Sequence, residues 1–381
     1  MKHLFKGLAI LLVLLNLLIV FSGKSWIYRG ASLTYLKGEV SSYIHDFVHF
    51  PYNVVEAGNH QAWAISDDYN QASIPDFAQR VNQDLESVAF LVIQNDSVRY
   101  EEYWDGYSAD TLSNSFSMTK SFVGTLVGTA LKDGDIQSLD QKICDFIPEY
   151  CNDENADLSI RQVLSMSSGL NWVENYFNPL GMTAEAYYGS RLREIIMGLS
   201  VVEPPGEVFK YKSGNTQLLG YVVEAATGKT LSKYASEKLW NPLGCKNNAK
   251  WGTDGTDEKA FCCFNSNARD FARWGKLMLQ QGSWNGVQII DSAFVQQATS
   301  IAPLADKAGR ANINYGYQLW ITERQGYEVF YARGLWGQYI ICIPEKNMVV
   351  VRLGRKFGAL LSDMHHDDLY TFIDAALEMY P

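Results

Sequence analysis

Strand-like segments lie near both ends of this 381-residue chain, with a long helical region between them. Residues 88–93 and 98–103 flank Asn95-Asp96, a pair typical of a tight hairpin turn. Three further strand candidates lie near the other end, at 327–331, 338–343 and 348–353. Residues 115–300 show mainly helical periodicity. The pattern predicts an α+β fold, in which strands from both chain ends share one antiparallel sheet with flanking helices and an inserted, mainly helical region.

Composition limits the classes of function open to this chain. Its 32 Lys and Arg residues stand against 42 Asp and Glu residues, which gives a formal net charge of −10. Nucleic acid is not an expected partner, because phosphate binding requires clustered basic residues. A hydrophobic fraction of 47% with only 19% charged residues argues against a disordered chain. We therefore expect a compact globular protein.

Residues 1–24 form a targeting or anchoring segment. Lys2 and Lys6 precede an apolar run over residues 8–21. Gly23-Lys24-Ser25 is a poor cleavage site because its central residue is a lysine, so we favour an uncleaved membrane anchor over a cleaved signal. An anchor places the protein in the cell envelope, facing the periplasm or the extracellular side. With a cleaved signal the protein is secreted instead.

The rest of the chain divides into two parts. Residues 25–75 form an irregular N-terminal extension with no assignable chemistry. Residues 76–381 form the predicted main domain, which contains the helical insertion at about 115–300. A final amphipathic helix is expected at 368–379, and His365-His366 before it indicates the start of that helix rather than a metal site. No metal or organic cofactor is expected.

The cysteine content fits an oxidising compartment. The six residues are Cys144, Cys151, Cys245, Cys262, Cys263 and Cys342. Cys144 and Cys151 bracket one short loop, and Cys262 and Cys263 are adjacent. We expect one or two disulfides.

The segment that begins at Ser117 carries the clearest chemical signal. An apolar stripe over residues 122–130 has helical spacing. Ser117 and Lys120 are three residues apart, so their side chains lie on one face of this helix. A lysine at the start of a buried helix loses solvation, and its neutral form can take the serine proton. About one S-x-x-K pair is expected by chance in such a chain. The pair alone is therefore equally consistent with a capping serine and an exposed lysine.

Two further segments follow Ser117 in an order that resembles the serine β-lactamase-like hydrolases. In chain order the three segments are FSMTKSFVGTLVGTALKDGDIQSLDQKICDFIPEY, LSIRQVLSMSSGLNW and PPGEVFKYKSGNTQLLGYVVE. That family includes class C β-lactamases, D-alanyl-D-alanine carboxypeptidases, several esterases and the nylon-oligomer (6-aminohexanoate-dimer) hydrolases. The resemblance runs from about Leu91 to the C-terminus. It implies a β-lactamase/transpeptidase-like fold and a cofactor-free serine hydrolase that acts on a small amide, peptide or ester.

The resemblance implies catalytic roles for three residues. Ser117 is the expected acylated nucleophile, Lys120 its activating partner, and Tyr211 a second general base that relays a proton to the leaving group. Neighbouring ammonium groups favour a phenolate, so we expect a lowered pKa for Tyr211. Ser213 stands where the family usually has an asparagine, and Asn215 follows two positions on. Both are predicted to bind substrate, and this departure resembles the nylon-oligomer branch more than the class C enzymes.

A third motif is expected at Ala332-Arg333-Gly334, where β-lactamases carry Lys or His, then Thr or Ser, then Gly. Gly334 allows the backbone to approach a ligand, and the N–H groups of Ser117 and Leu335 are the predicted oxyanion hole. The missing Lys or His favours amide or ester hydrolysis over β-lactam hydrolysis. Arg333 replaces it only if its side chain turns into the cleft. Tyr176 matches a tyrosine that contacts the scissile amide in nylon-oligomer hydrolases, or it covers the edge of the core.

Three alternatives compete with this interpretation. The first is a β-lactamase or D-alanyl-D-alanine carboxypeptidase, and the second is a non-catalytic protein of the same fold that binds peptidoglycan or peptides. The third, an α/β-hydrolase triad, is not favoured, because the chain has no G-x-S-x-G and its histidines lie outside the motif region.

Overall fold

The protein is represented by a computed structural model, in which the structure of residues 2–381 is described. Its strands are β1 (Tyr52–Val55), β2 (Ala64–Ile65), β3 (Ser87–Gln94), β4 (Ser97–Tyr103), β5 (Ser113–Asn114), β6 (Ala249–Gly252), β7 (Phe264–Ser266), β8 (Ser283–Trp284), β9 (Val287–Gln288), β10 (Trp320–Arg324), β11 (Tyr327–Gly334), β12 (Gln338–Ile343) and β13 (Met348–Gly354). Its helices are α1 (Lys2–Phe21), α2 (Trp26–Leu33), α3 (Asp76–Asp84), α4 (Thr119–Asp133), α5 (Ile160–Leu164), α6 (Met182–Tyr188), α7 (Leu192–Met197), α8 (Ser213–Thr227), α9 (Leu231–Ala235), α10 (Ala268–Leu279), α11 (Ser292–Ala298) and α12 (Asp367–Met379).

The large sheet joins strands from both ends of the chain, as the sequence predicted. Its strand order is β10-β11-β12-β13-β3-β4-β2. The central pair is β13 and β3, which run antiparallel with Met348 opposite Gln94. Only the short edge strand β2 runs parallel to its neighbour β4. The α+β fold class predicted from the sequence is therefore confirmed.

The hairpin between β3 and β4 turns at Asn95-Asp96. Both residues adopt left-handed backbone angles, with φ of 49° at Asn95 and 64° at Asp96. Two consecutive left-handed residues match the twist of the flanking strands, and Asn and Asp tolerate that conformation better than most residues do. The sequence therefore located this turn correctly.

Both faces of the large sheet are covered by helices. Along β3, Ala89, Leu91 and Ile93 belong to the hydrophobic cluster on the side of α10. Phe90 and Val92 point to the other side, where they belong to the cluster that includes α12. A strand buried on both faces is a continuous apolar run rather than an alternating one, which is why residues 88–93 lack polar positions.

A second, smaller sheet lies within the inserted region, which the sequence predicted as mainly helical. Its strand order is β1-β6-β7-β5. Two of these strands, β6 and β7, come from the insertion, and β1 comes from the N-terminal extension. The extension also supplies β2 of the large sheet. Residues 25–75 are therefore part of both sheets rather than an appendage to them.

Helix α1 occupies residues 2–21 of the predicted anchor segment, and Met1 lies outside the described residues. Most of its apolar side chains are exposed. Among residues 2–381, no single helix is long and apolar enough to cross a membrane. Phe5–Phe21 and Trp26–Lys37 together meet the criteria of length and composition, as a pair bent by 112°.

Two disulfides are formed. Cys144 is joined to Cys151, and Cys262 to its neighbour Cys263. Cys245 and Cys342 are free and buried. The pairing agrees with the expectation of one or two disulfides.

Candidate active site

Ser117 lies in a 3-10 turn, Phe116–Met118, that leads directly into α4. The preceding residue, Phe116, has a φ of 45°, which is a strained conformation for a bulky side chain. The side-chain oxygen of Asn114 accepts a hydrogen bond from the Phe116 N–H at 2.9 Å and holds this turn. Such strain at the residue before a half-buried serine is typical of a constrained functional site.

The N-terminal extension reaches the same turn through Asp46. This carboxylate is completely buried, and the Tyr187 hydroxyl, which lies 2.9 Å from both of its oxygens, donates one hydrogen bond that they share. The side-chain amide of Asn114 donates to Asp46 at 3.5 Å and to Tyr187 at 3.2 Å. Burial is the main reason that the pKa of Asp46 is raised to about 7. The extension, to which the sequence assigned no chemistry, thus supports the turn that holds Ser117.

Lys120 is the nearest base to Ser117. Its Nζ donates to Ser117 Oγ at 2.8 Å and to the Phe261 carbonyl oxygen at 2.8 Å. The side chain is 1% exposed, and this burial lowers the pKa of Lys120 to about 7, although the charge of Glu174 acts in the opposite direction. Neutral lysine is therefore well populated near neutral pH. The proximity and desolvation expected from the three-residue spacing are both present in the structure.

Tyr211 lies on the other side of Lys120, whose Nζ is 5.2 Å from the centre of the tyrosine ring. The ring also packs against Trp320 at 5.6 Å. Burial first, and then the charge of Glu174, raise the pKa of Tyr211 well above its ordinary value, while the contacts with Ser117 and Tyr176 lower it less. The expected lowering of this pKa was wrong. Burial outweighs the positive charge of Arg333, so Tyr211 remains a protonated donor at neutral pH.

Glu174 is a site residue that the sequence analysis did not single out. Its carboxylate accepts hydrogen bonds from Trp172 Nε1 at 2.7 Å, from the Ser213 N–H at 2.5 Å and from Ser213 Oγ at 2.7 Å. It thereby joins the loop after α5 to the first residue of α8, two positions after Tyr211. The signal available in the sequence was that Glu174 lies two residues before Tyr176, in the loop predicted to reach the site. Its partner, however, lies 39 residues further along the chain.

Tyr176 lies beside Tyr211 and lines the same cavity. Burial, followed by the charge of Glu174, raises the pKa of Tyr176 well above its ordinary value. Its backbone carbonyl accepts a hydrogen bond from Ser41 Oγ at 3.2 Å. Tyr176 therefore presents a protonated hydroxyl to the cleft on a loop that the N-terminal extension holds.

Gly334, at the end of β11, makes the close backbone approach expected of the third motif. A Cβ atom at this position would lie 2.2 Å from the Ser115 carbonyl oxygen, so only glycine fits beside the nucleophile turn. Leu335 follows and lines the same cavity as Ser117. The side chain of Gln338 donates to the Leu335 carbonyl at 3.0 Å and fixes the turn. The arrangement brings the two predicted oxyanion donors to one cavity.

Arg333 turns into the cleft, which the alternation of the strand alone left open. Its guanidinium lies 3.5 Å above the centre of the Trp320 ring and donates to the Met364 carbonyl oxygen at 2.7 Å. Its positive charge also lowers the pKa of Tyr211 and Tyr176 to a small extent. Arg333 therefore lines the cavity and adds a positive charge beside the third motif.

Ser213 and Asn215 do not contact the cavity. The Ser213 hydroxyl donates to Glu174, whereas Asn215 is completely buried. The side-chain oxygen of Asn215 accepts a hydrogen bond from Ser168 Oγ at 2.6 Å, and its Nδ2 contacts Met166 Sδ at 3.3 Å. The substrate-binding role expected for these two residues is not supported, because both side chains are bound to protein groups that hold the start of α8.

Six of the predicted residues line one cavity of about 590 Å³ between the large sheet and the inserted region: Ser117, Tyr176, Tyr211, Arg333, Gly334 and Leu335. It is lined by Ser117, Glu174, Tyr176, Phe177, Phe209, Lys210, Tyr211, Asp306, Lys307, Ala308, Arg310, Trp320, Arg333, Gly334, Leu335, Phe357, Leu360, Met364 and His366. This volume suits a small organic substrate. Lys120 lies behind Ser117, where it contacts the nucleophile rather than the cavity.

The histidines near the C-terminus lie at the start of α12, as predicted. Their ring nitrogens contact the Tyr331 hydroxyl at 2.7 Å for His365 and the Gly358 carbonyl oxygen at 3.0 Å for His366. Among residues 2–381, no three His, Cys, Asp or Glu side chains form a group that could hold a metal ion.

The family model for β-lactamases matches residues 74–372. The chain belongs to the β-lactamase family. The resemblance inferred from the three motifs is therefore confirmed. Membership identifies the chain as a serine hydrolase that acts on amide or ester bonds.

Relatives within the β-lactamase family include hydrolases of several kinds. The 6-aminohexanoate-dimer hydrolase of Paenarthrobacter ureafaciens is 28% identical over 301 residues, which cover 74% of this chain and 75% of that protein. A solved structure from Bacillus anthracis, assigned as a 6-aminohexanoate-dimer hydrolase, has a TM-score of 0.74 and 24% identity, and covers 89% of this chain and 91% of its own. A family VIII carboxylesterase has a TM-score of 0.64 and 17% identity, with 84% and 99% coverage. The two structural matches establish the β-lactamase/transpeptidase-like fold.

Proposed function

We propose that this serine hydrolase cleaves its substrate through an acyl-enzyme on Ser117. Neutral Lys120 takes the Ser117 proton, and the Oγ attacks the carbonyl carbon of an amide or ester. The N–H groups of Ser117 and Leu335 hold the negative oxygen of the tetrahedral intermediate. Water then attacks the acyl-enzyme and releases the acid.

Tyr211 is the proposed proton relay to the leaving group. Because its pKa is raised, its hydroxyl donates a proton to the departing nitrogen or oxygen as the C–N or C–O bond breaks. The proton that Lys120 took from Ser117 then restores the Tyr211 hydroxyl, since Ser117 contacts both side chains. In this proposal Tyr211 acts first as a general acid, whereas a general base was expected from the sequence.

One observation carries the proposal. The buried Lys120 amine contacts Ser117 Oγ at 2.8 Å, and its pKa is lowered to about 7. A lysine with this pKa accepts a proton near neutral pH, where an exposed lysine does not.

The substrate class is proposed from the cavity and from the curated relative. The relative from Paenarthrobacter ureafaciens is named for the hydrolysis of the 6-aminohexanoate dimer. In this chain the third motif lacks the Lys or His that stands before Thr or Ser in β-lactamases. We therefore propose linear amides or esters as substrates, ahead of β-lactams or D-alanyl peptides.

A substrate panel and Tyr211→Phe test this proposal. The panel contains short linear amides, acyl esters, D-alanyl-D-alanine peptides and a fluorescent penicillin. We expect turnover of the first two classes, and a loss in Tyr211→Phe of about a hundredfold or more for amides. Esters have better leaving groups, so their loss should be smaller. Equal losses on amides and esters would contradict the relay role, and slow-releasing penicillin acylation with no linear turnover would favour the alternative substrates.

We also propose that the protein resides in the cell envelope, with α1 as its membrane anchor. The exposed apolar side chains of α1 and the basic residues before them support this location. Carbonate extraction of membranes from expressing cells should leave the full chain in the pellet, whereas release of a shortened chain would indicate a cleaved signal.

A further inference from the structure

Exposed apolar side chains line part of the cavity that holds Ser117 or lie beside it. Phe177 is 53% exposed and Leu360 is 63% exposed, and both line the cavity. Leu180, in the same loop as Phe177, is 61% exposed, and Leu361 and Met364 are also exposed beside Leu360. We call this set (Phe177, Leu180, Leu360, Leu361 and Met364) the mouth rim. A grouped set of exposed apolar residues at a cavity mouth marks an interaction surface.

The mouth rim is attached to the segment that follows the N-terminal helix. Ser41 Oγ donates to the backbone carbonyl of Tyr176, directly before Phe177. Trp336, whose ring lies 6.4 Å from that of Phe177, donates from Nε1 to the Ser42 carbonyl at 2.6 Å. A small cavity between α2 and this loop is lined by residues of both. Residues 26–42 and the mouth rim therefore form one face.

Apolar and aromatic side chains of the segment 26–42 extend the same face. Leu36 is 82% exposed, and Tyr28, Tyr35 and Val40 are exposed as well. Tyrosine is enriched where a membrane meets water, because its ring is apolar and its hydroxyl is polar. The apolar surface thus extends from the cavity mouth to the N-terminal helix.

The direction of α1 relates this face to a bilayer. Residues 8–21 of α1 form an apolar run about 21 Å long, which is shorter than the hydrocarbon core of about 30 Å, so α1 meets the criteria for a span only together with Trp26–Lys37. The axis bends by 112° between Phe5–Phe21 and Trp26–Lys37. If α1 enters a bilayer along its normal, the second part of this pair lies roughly along the membrane surface, as interfacial helices do.

Basic residues accompany the apolar surface. Lys24 and Lys37 lie at the two ends of the segment around α2, and Lys307 lines the cavity mouth. All three are exposed, and none forms an ion pair with an acidic side chain among residues 2–381. Lysines beside a bilayer attract anionic lipid headgroups, which matters in a chain with a net charge of −10.

We propose that the mouth rim rests on a lipid bilayer, so that the cavity opens toward the membrane surface and takes amphiphilic amides or esters whose apolar chains lie in the bilayer. The docking itself does not depend on the reaction, whereas the substrate class rests on the proposed function. The rim supplies apolar contact with acyl chains, and Ser117 lies at the inner end of the cavity, where the polar carbonyl enters.

Site-directed fluorescence tests the docking. A polarity-sensitive fluorophore is attached to Leu180→Cys, Leu361→Cys or Val287→Cys in the full chain, reconstituted in vesicles of phosphatidylcholine and phosphatidylglycerol. The free native thiols Cys245 and Cys342 are buried, and Val287 is an exposed apolar control outside the cavity lining. We expect blue-shifted emission and quenching by brominated lipid at positions 180 and 361 but not at 287. Equal, water-like emission at all three positions would overturn the proposal. A blue shift that varies with protein density and is not accompanied by quenching would also overturn the proposal. In that case a second copy of the chain, rather than lipid, would cover the rim.

Paired ester substrates test the substrate class. One ester is soluble and short, and the other carries the same acyl group on a lipid held in the vesicle. Leu36→Ser/Leu180→Ser, which alters no cavity-lining residue, should lower the rate on the vesicle-bound ester on the order of tenfold and leave the soluble rate unchanged. Unchanged rates on both esters would overturn the inference alone. Retention of both rates in Ser117→Ala would instead overturn the proposed function.

Discussion

The side-chain oxygen of Asn114 accepts a hydrogen bond from the backbone N–H of Phe116 at 2.9 Å. This contact holds the left-handed residue immediately before Ser117. The amide of Asn114 is held in turn by the buried Asp46 and Tyr187. The nucleophile is thus positioned by a side chain outside the S-x-x-K pair, and through it by the N-terminal extension.

Replacing Asn114 should therefore impair acylation beyond its effect on folding. Asn114→Ala removes the acceptor for the Phe116 N–H. The strained turn then relaxes, and Ser117 Oγ moves away from the position from which it attacks the substrate carbonyl. We expect the acylation rate to fall about tenfold to a hundredfold. Stopped-flow acylation by an activated ester measures this rate, and the melting temperature reports folding.

Asn155→Ala is the matched control for Asn114→Ala. Asn155 is also fully buried and bonded to backbone groups, at Tyr150, Leu199 and Val201, but it does not line the cavity. It should lower the melting temperature without slowing acylation of the folded fraction. Equal slowing in both variants would mean that Asn114 acts on folding alone.

The rate should depend on pH through Lys120. Burial lowers the pKa of Lys120 to about 7, and only its neutral form accepts the Ser117 proton. We therefore expect kcat/KM to fall by about tenfold for each pH unit below 7 and to level off above it. A profile measured with a neutral ester from pH 5 to 9 checks this. A flat profile across pH 7 would contradict the role of Lys120 as base.

Glu174→Gln should move this profile to lower pH. The carboxylate charge of Glu174 raises the pKa of Lys120, so a neutral amide at this position lowers that pKa further. With its oxygen in the place of Oε2, the glutamine can still accept from Trp172 Nε1 and the Ser213 N–H, and its amide can donate to Ser213 Oγ, so the loop should keep its place. The acid limb of kcat/KM is compared with that of Glu237→Gln, an exposed control. A limb that moves upward, or moves equally in the control, would refute the electrostatic coupling.

Gly334→Ala should lower activity by more than its effect on the stability of the fold explains. The added methyl group meets the Ser115 carbonyl oxygen at 2.2 Å, which pushes β11 away from the nucleophile turn. We expect a loss of activity of at least about a hundredfold, because misplaced oxyanion donors cost that much. Gly128→Ala is the control, since its methyl group meets Phe294 at 2.5 Å outside the cavity lining. Both variants should lose stability, measured by urea unfolding, by about 1–3 kcal/mol. If Gly128→Ala loses as much activity per folded molecule, the specific role of Gly334 is refuted.

Local patterns predicted much of this fold and of the candidate site. Asn95-Asp96 located the central hairpin because left-handed turns restrict residue type. Ser117 and Lys120 came from helical spacing, which acts over one turn. The small sheet was missed because its strands are short and pair across the chain, as β1 with β6 does. Glu174 and Asp46 were missed for a related reason: each acts through partners far away in sequence, and no local periodicity records those contacts.

The direction of the Tyr211 pKa shift was a different kind of error. The sequence suggested a neighbouring positive charge, but it did not show how strongly the site is desolvated. In the structure, burial outweighs the positive charges nearby and keeps Tyr211 protonated.

The central claim is that Ser117 is the acylated nucleophile. The most direct measurement is covalent labelling of the full chain with a fluorescent fluorophosphonate, followed by mass spectrometry of the modified peptide, beside Ser117→Ala. Circular dichroism confirms that both chains are folded. The account predicts one label on Ser117 in the wild type and no label in Ser117→Ala. Equal labelling of both chains, or a label at another residue, would contradict it.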